Sequence, residues 1–390
     1  MPRRPAAFRS SGEREEVGSG FPGREGPQSG LSSRLPLARG LRGDEDSCRP
    51  GGPTQHNRIR SQTDTCFPLA RGDSGQAVRD LQHRLARLGH DCGAEIDRGF
   101  YGPTTAAAVA NFQAARGLRA DSRCTAETWS TVVEAGWRSG ERLLYRRNPM
   151  LRGDDVAELQ TKLSILGFDT SGIDGIFGDE TAAATAELQR NLGVLPDGIC
   201  GPRTWEQLNL LCRDNDTMIP AATLREHLRH LERGNGLAGL RVVVGESGGG
   251  GFAAGVTATA RALSRAGAVT LTVHDPDESR QAGVANAFRA DCYIGLTLTA
   301  SSTALSTTYY AGFRYESTIS KRLAEIVQAR LPRAVDAIDG GVRGMAFIVL
   351  RETKMPAICI DIGRPALAVQ RATEIASAIL SSLNEWLQHP

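Results

Sequence analysis

Apolar residues first settle into a sustained period near Phe67. In LARGDSGQAVRDLQHRLARLG, Val78, Leu81, Leu85 and Leu88 recur at three- and four-residue steps, which puts them on one face of a helix. Gly89 follows, where a glycine ends a helix. A turn region then leads to GFYGPTTAAAVANFQAARGLRADSRCTAETW. The whole pattern returns as LRGDDVAELQTKLSILGFDTSGIDGIFGDETAAATAELQRNLGVLPDGICGPRTW. Val78, Leu81, Gln82, Leu85, Leu88 and Gly89 match Val156, Leu159, Gln160, Leu163, Leu166 and Gly167. After a small length change, Tyr101, Gly102, Thr105, Phe112, Gln113, Gly117, Asp121, Cys124, Thr128 and Trp129 match Phe177, Gly178, Thr181, Leu188, Gln189, Gly193, Asp197, Cys200, Thr204 and Trp205. The chain therefore contains a tandem repeat, over 67–136 and 146–212. Each copy is expected to form three helices. In the second copy, Asp179 or Thr181 is placed to cap the middle helix, which buries Ala184 and Leu188; the third starts near Pro202 and is anchored by Trp205.

From residue 239 the period changes. LRVVVGE, AVTLTVHD, CYIGLTLTA, MAFIVLR and PAICIDIG read as strands, and GVTATARALSRAG, ESRQAGVANAFRA, STISKRLAEIVQARL and RATEIASAILSSLNEWL as helices. Such alternation predicts an α/β domain over 239–390 with a largely parallel sheet. The fold class is thus multidomain: two all-α three-helix units, then an α/β layer. Residues 213–238 read as a linker with a solvated amphipathic helix, on which His227 and His230 are three apart without an evident carboxylate partner. Residues 1–66, rich in Gly, Pro, Ser and Arg without any period, read as a disordered arm.

A formal net charge of +2 and no basic stripe give no argument for nucleic acid. No apolar run is long enough for a spanning helix or a secretory signal, so the default compartment is the cytoplasm, with cell-wall association as the alternative. The cysteines at 48, 66, 92, 124, 200, 212, 292 and 359 are scattered without a C-x-x-C pair, and read as ordinary buried thiols.

The segments G-x-x-V-x-x-L-Q-x-x-L-x-x-L-G and D-G-x-F-G-x-x-T-x-x-A are legible in the repeats, which closely resemble the peptidoglycan-binding domain family. That resemblance implies a ligand groove around the glycine turn and the next helix start: Phe100, Tyr101 and Thr104 in the first copy, Ile176, Phe177 and Asp179 in the second. Tyr101 and Phe177 are also eligible for the core, an alternative the spacing leaves open. The α/β segment is similar to the zinc-dependent N-acetylmuramoyl-L-alanine amidase family, most clearly at NAFRADCYIGLTLTA and MPAICIDIG. Such enzymes hold zinc with two histidines and a glutamate, leaving a position for the attacking water. By the resemblance, Gly248 stands at the first histidine and Thr297 at the second, and the loop that should carry the glutamate is shortened. Asp361 takes the place of the general base. Gly and Thr supply no imidazole, so no metal is expected.

His274 with Glu246 and Asp275 is the alternative donor set, and the GESGGGG run lacks the context of a phosphate loop. The combination resembles the CwlM-type group of actinobacteria, in which the amidase domain is likewise depleted of zinc histidines. This resemblance implies a pseudoenzyme that binds peptidoglycan or its lipid-linked precursor, without a cofactor, and regulates cell-wall synthesis through contact with a synthesis enzyme. The alternative is a working zinc amidase that cuts the bond between muramic acid and L-alanine.

Overall fold

The computed structural model describes residues 67–212, 220–232, 236–247, 251–300 and 302–388, with backbone alone for 229–232. The segment read as a disordered arm and Gly248 lie outside the described residues.

The first repeat consists of α1 (Gln76–Arg87), the single turn α2 (Glu95–Arg98), α3 (Pro103–Ala115) and α4 (Ala126–Ala135). The second has α5 (Asp154–Ile165), α6 (Asp179–Asn191) and α7 (Pro202–Leu211). The periodic faces are buried as the spacing requires: Val78, Leu81 and Leu85 pack with Phe112 in one core, Val156, Leu159 and Leu163 with Leu188 and Trp205 in the other. Gly89 lies at φ +88°, and its amide and that of His90 close the end of α1 on Ala86 and Leu85. This is the six-to-one and five-to-two hydrogen-bond pair that a left-handed glycine permits.

Two buried glutamines per repeat clip the loops to the helices. Gln160 donates to Asp174, to the Ile176 carbonyl and to Thr181, and accepts from the Gly175 amide. Gln189 treats Asp197, Ile199 and Gly198 alike; in the first copy Gln113 donates to Asp121 and accepts from the Ser122 amide, and Gln82 donates to the Phe100 carbonyl and the Thr105 hydroxyl. This explains why Gln recurs on an otherwise apolar face. Neither Asp179 nor Thr181 caps α6, because Gly178 is the N-cap and Thr181 turns inward to Gln160.

After α8 (Ala221–Glu232) come β1 (Arg241–Glu246), α9 (Ala253–Arg265), β2 (Val269–Val273), α10 (Glu278–Ala287), β3 (Cys292–Thr299) and β4 (Ala304–Tyr310). The chain closes with α11 (Thr318–Val335), β5 (Ile338–Met345), α12 (Ile348–Glu352), β6 (Ala357–Gly363), α13 (Pro365–Gln370) and α14 (Ala372–Gln388). The strand order is β2-β1-β3-β6-β4-β5, parallel except where β4 meets β6. Helices α9, α11 and α14 cover one face, and α10 and α12 the other.

Two elements differ from the sequence reading. MAFIVLR is not a strand: its apolar centre forms α12, which buries Val349 and Leu350, and the strand before it is the glycine-rich β5. A short apolar run fits a buried helix as well as a buried strand. The helix read as a solvated linker, α8, is docked: Glu226 accepts from Tyr315 (2.6 Å) and Ser317 (2.5 Å), while Arg225 donates to the Gly167 and Phe168 carbonyls. His227 meets its own helix at the Thr223 carbonyl, 2.9 Å away.

Candidate functional site

Side chains two apart on a strand share a face. On the helix-α10 face of the sheet, near the carboxyl ends of β1, β3 and β6, this rule gathers Ser247, Thr297, Thr299, Ser306, Thr308, Cys359 and Asp361 around one cleft of about 990 Å³. Register brings Thr297 beside Asp361 on one side and Ser306 beside it on the other. The Thr299 hydroxyl donates to the Asp361 carboxylate, and Thr308 donates to the Cys359 carbonyl at 3.1 Å. Burial pushes the Cys359 thiol well above its usual range, so it stays protonated. Gly295 leaves the floor clear, since a Cβ there would overlap Ser247 Oγ and Cys359 Sγ.

The first repeat forms the roof. Its α3–α4 connection, with Arg119 and Asp121, and Glu127 of α4 line the same cleft opposite Glu278. The Ala346 amide donates to the Gly117 carbonyl at 2.9 Å. Gly117, at φ +66°, allows that approach; a Cβ would lie 3.0 Å from the Ala346 nitrogen. Burial raises the Glu278 carboxyl above its ordinary value, and burial together with Glu278 raises Glu127. Arg119 opposes both shifts.

These residues do not fit a zinc centre. Thr297 offers only a neutral hydroxyl, a poor zinc ligand beside the nitrogen, thiolate and carboxylate donors of zinc sites. The alternative set does not converge either. Glu246 accepts from His274 Nδ1 at 2.9 Å and from the Phe252 amide at 2.5 Å, while Asp275 accepts from the Asp277 amide. Burial raises the Glu246 carboxyl, but His274 and the Phe252 amide outweigh it and leave the net shift downward. Among the described residues, no group of three or more His, Cys, Asp or Glu is gathered to hold a metal ion.

In the repeats, the six groove candidates divide by exposure. Phe100 is 41% exposed, and Thr104 and Asp179 also reach the surface, the latter beside Arg146. Tyr101 and Phe177 are fully buried and Ile176 nearly so, which corrects their assignment to an open groove. The turn places successive side chains on opposite sides, so Phe100 points out and Tyr101 in, with its hydroxyl bonded to the Ser122 carbonyl at 2.8 Å.

Sequence reasoning missed two groups. Glu95 accepts from the amides of Gly102, Thr104 and Thr105 and from the Thr105 hydroxyl. It thereby occupies the orphan donors at the start of α3. Arg351 of α12 donates to Glu134 of the first repeat (2.9 Å) and to the Asp174 carbonyl of the second (2.7 Å). A signal for Glu95 was its place shortly before a predicted helix start; Arg351 had none.

Residues 74–132 and 152–208 match the family described as "Putative peptidoglycan binding domain". The chain is 31% identical over 330 residues to the N-acetylmuramoyl-L-alanine amidase CwlM of Mycobacterium tuberculosis, covering 75% of this chain and 80% of that one. It is 32% identical over 151 residues to a Bacillus licheniformis protein described as "Probable N-acetylmuramoyl-L-alanine amidase", covering 35% and 43% respectively. Among solved structures, the N-acetylmuramoyl-L-alanine amidase of Clostridium difficile 630 aligns with a TM-score of 0.33 at 21% identity, over 39% of this chain and 98% of that one.

Proposed function

The chain belongs to the N-acetylmuramoyl-L-alanine amidase family represented by the mycobacterial CwlM, and from that membership we propose that it binds peptidoglycan or its lipid-linked precursor without cutting it. It carries two peptidoglycan-binding repeats. The observation that supports a non-catalytic α/β domain is the pairing of Thr297 with Asp361 in a hydroxyl-lined cleft. Amide hydrolysis in this family needs an electrophile on the carbonyl and an activated water. Asp361 offers only a base, already bonded to Thr299, and among the described residues no group of His, Cys, Asp or Glu stands with it to hold a metal. The hydroxyls can accept from and donate to the amides and sugar hydroxyls of a muropeptide while leaving its bonds intact.

In this reading the protein regulates cell-wall synthesis by contact with a synthesis enzyme, on the cytoplasmic side where precursors are made. No described helix is long and apolar enough to cross a membrane. The test uses full-length protein purified in zinc-containing buffer. Metal content, co-sedimentation with purified peptidoglycan and release of stem peptide are measured on one preparation. The expected result is binding, zinc far below one per chain and no release. Equimolar zinc together with chelator-sensitive release would establish the opposite, an active amidase.

A further inference from the structure

The two repeats are related by sequence, yet the same surface of each meets a different fate. Around the glycine turn of the first repeat, Asp97 and Arg98 are exposed and Phe100 is 41% exposed. The corresponding positions of the second are Ile173 at 3%, half-buried Asp174, and Ile176 at 8%. The difference comes from the α/β domain. Arg351 donates to the Asp174 carbonyl, and Tyr310 donates to the Ile173 carbonyl at 3.4 Å. Lys354 pairs with Glu180 on the first turn of α6, and Glu352 with Arg152 at 2.6 Å.

A Cβ on Gly175 would meet the Gly153 carbonyl at 3.2 Å and Arg351 at 3.3 Å, whereas the three atoms nearest to one on Gly99 all belong to its own repeat. Arg351 is itself fixed by Glu134, with both side chains mostly buried. Two cations, Arg351 and Lys354, thus stand where a ligand crossing the second turn would lie. The remainder of that face lines a cavity of about 480 Å³ shared with the same pair, so it is one wall of a cleft between the second repeat and α12 with the loop after it, and not an open face like that of the first.

We infer that the repeats are specialised: the glycine-turn face of the first, centred on Phe100 and Thr104, is the surface that takes the glycan-peptide strand, and the same face of the second is committed to holding the α/β domain. This rests on the binding function proposed above. An exposed ring beside a hydroxyl suits a sugar face and its N-acetyl group. The second repeat retains the fold because its turn is a docking edge.

The test uses the full chain with Phe100→Cys or Ile176→Cys, a bulky maleimide, and mass spectrometry to read each cysteine separately. Co-sedimentation with purified peptidoglycan comes next. Phe100→Cys is expected to react at the rate of an unhindered thiol, and its adduct to weaken binding at least tenfold. Ile176→Cys is expected to react at least tenfold more slowly. Thr104→Arg, on an exposed helix start, should also weaken binding tenfold with an unchanged melting temperature, which covers the case that Phe100 variants misfold. Equal reaction at both positions overturns the inference, as does full binding by the Phe100 adduct. If the unaltered chain does not bind peptidoglycan, the proposed function falls and the ligand half of the inference with it; the labelling ratio still decides whether the second face is masked.

Discussion

Replacing Glu95 by Gln tests how the first repeat holds its exposed edge. One carboxylate oxygen accepts from the Thr104 amide at 3.0 Å; the other accepts from the amides of Gly102 and Thr105 and from the Thr105 hydroxyl, at 2.7–3.0 Å. Burial alone would raise its pKa, but the bonds from Thr105 and Thr104 prevail and bring it from 4.5 down to about 2. At about 1.4 kcal/mol per pH unit this corresponds to roughly 3 kcal/mol if fully realised. Solvent reaches the carboxylate rim, which screens the interaction, and measured losses of helix N-caps run about 0.5–2 kcal/mol. The expected cost at pH 7 is therefore about 1–2 kcal/mol. Gln keeps one acceptor, but its NH₂ faces donors.

Linkage fixes the sign. A carboxylate whose folded pKa is depressed stabilises the fold above its unfolded value and loses that contribution as pH falls to the folded one. The difference between wild type and Glu95→Gln should thus be full above about pH 5, shrink between 4.5 and 2, and vanish below. Native-state hydrogen exchange, read on peptides spanning residues 103–115 in both proteins at matched pH, measures it locally. An equal difference at pH 7 and pH 2.5 would refute the electrostatic account, and no difference at either would refute the cap.

Leu163→Ala removes a fully buried side chain from the second repeat and should cost about 2–5 kcal/mol in denaturant unfolding; a loss under about 0.5 kcal/mol would mean the core is misplaced. Glu278→Gln should raise the melting temperature at pH 7, because a carboxyl held above its unfolded pKa opposes folding once it ionises. That gain should disappear below pH 4, where both states are protonated, and a destabilised variant at pH 7 would contradict it. Asp361→Asn keeps an acceptor for Thr299, so unfolding should change by less than about 0.5 kcal/mol and co-sedimentation with peptidoglycan should not change.

Much of this fold was legible because its signals are periodic. Val78, Leu81 and Leu85 could share only one helical face, and their return at Val156, Leu159 and Leu163 announced the second copy. Thr297 and Asp361 were singled out by the family resemblance, and the register of β3 with β6 sets them side by side. The rest depended on docking. The strand β5, IDGGVRGM, carries neither apolar alternation nor β-branched enrichment and is a strand only because β4 pairs with it. MAFIVLR is helical because α10 offers it a surface. Glu95 sits in the longer turn found in the first copy alone, so aligning the copies passed over it. Arg351 acquires meaning only when the end of α4 and a loop of the second repeat, both far away in sequence, close around it.

The backbone bond from Ala346 to Gly117 has a practical consequence for dissecting the chain. Tandem repeats invite the experimenter to cut between them and assign a task to each fragment. Here the first cut would strip Leu118, Arg119 and Glu127 from above the strand ends and flood a cleft of about 990 Å³. It would also leave Arg351 without Glu134. A fragment lacking residues 67–136 would therefore report an altered α/β surface as well as a missing repeat. Point substitutions on exposed positions, with the chain left whole, are the cleaner route to separating what each segment does.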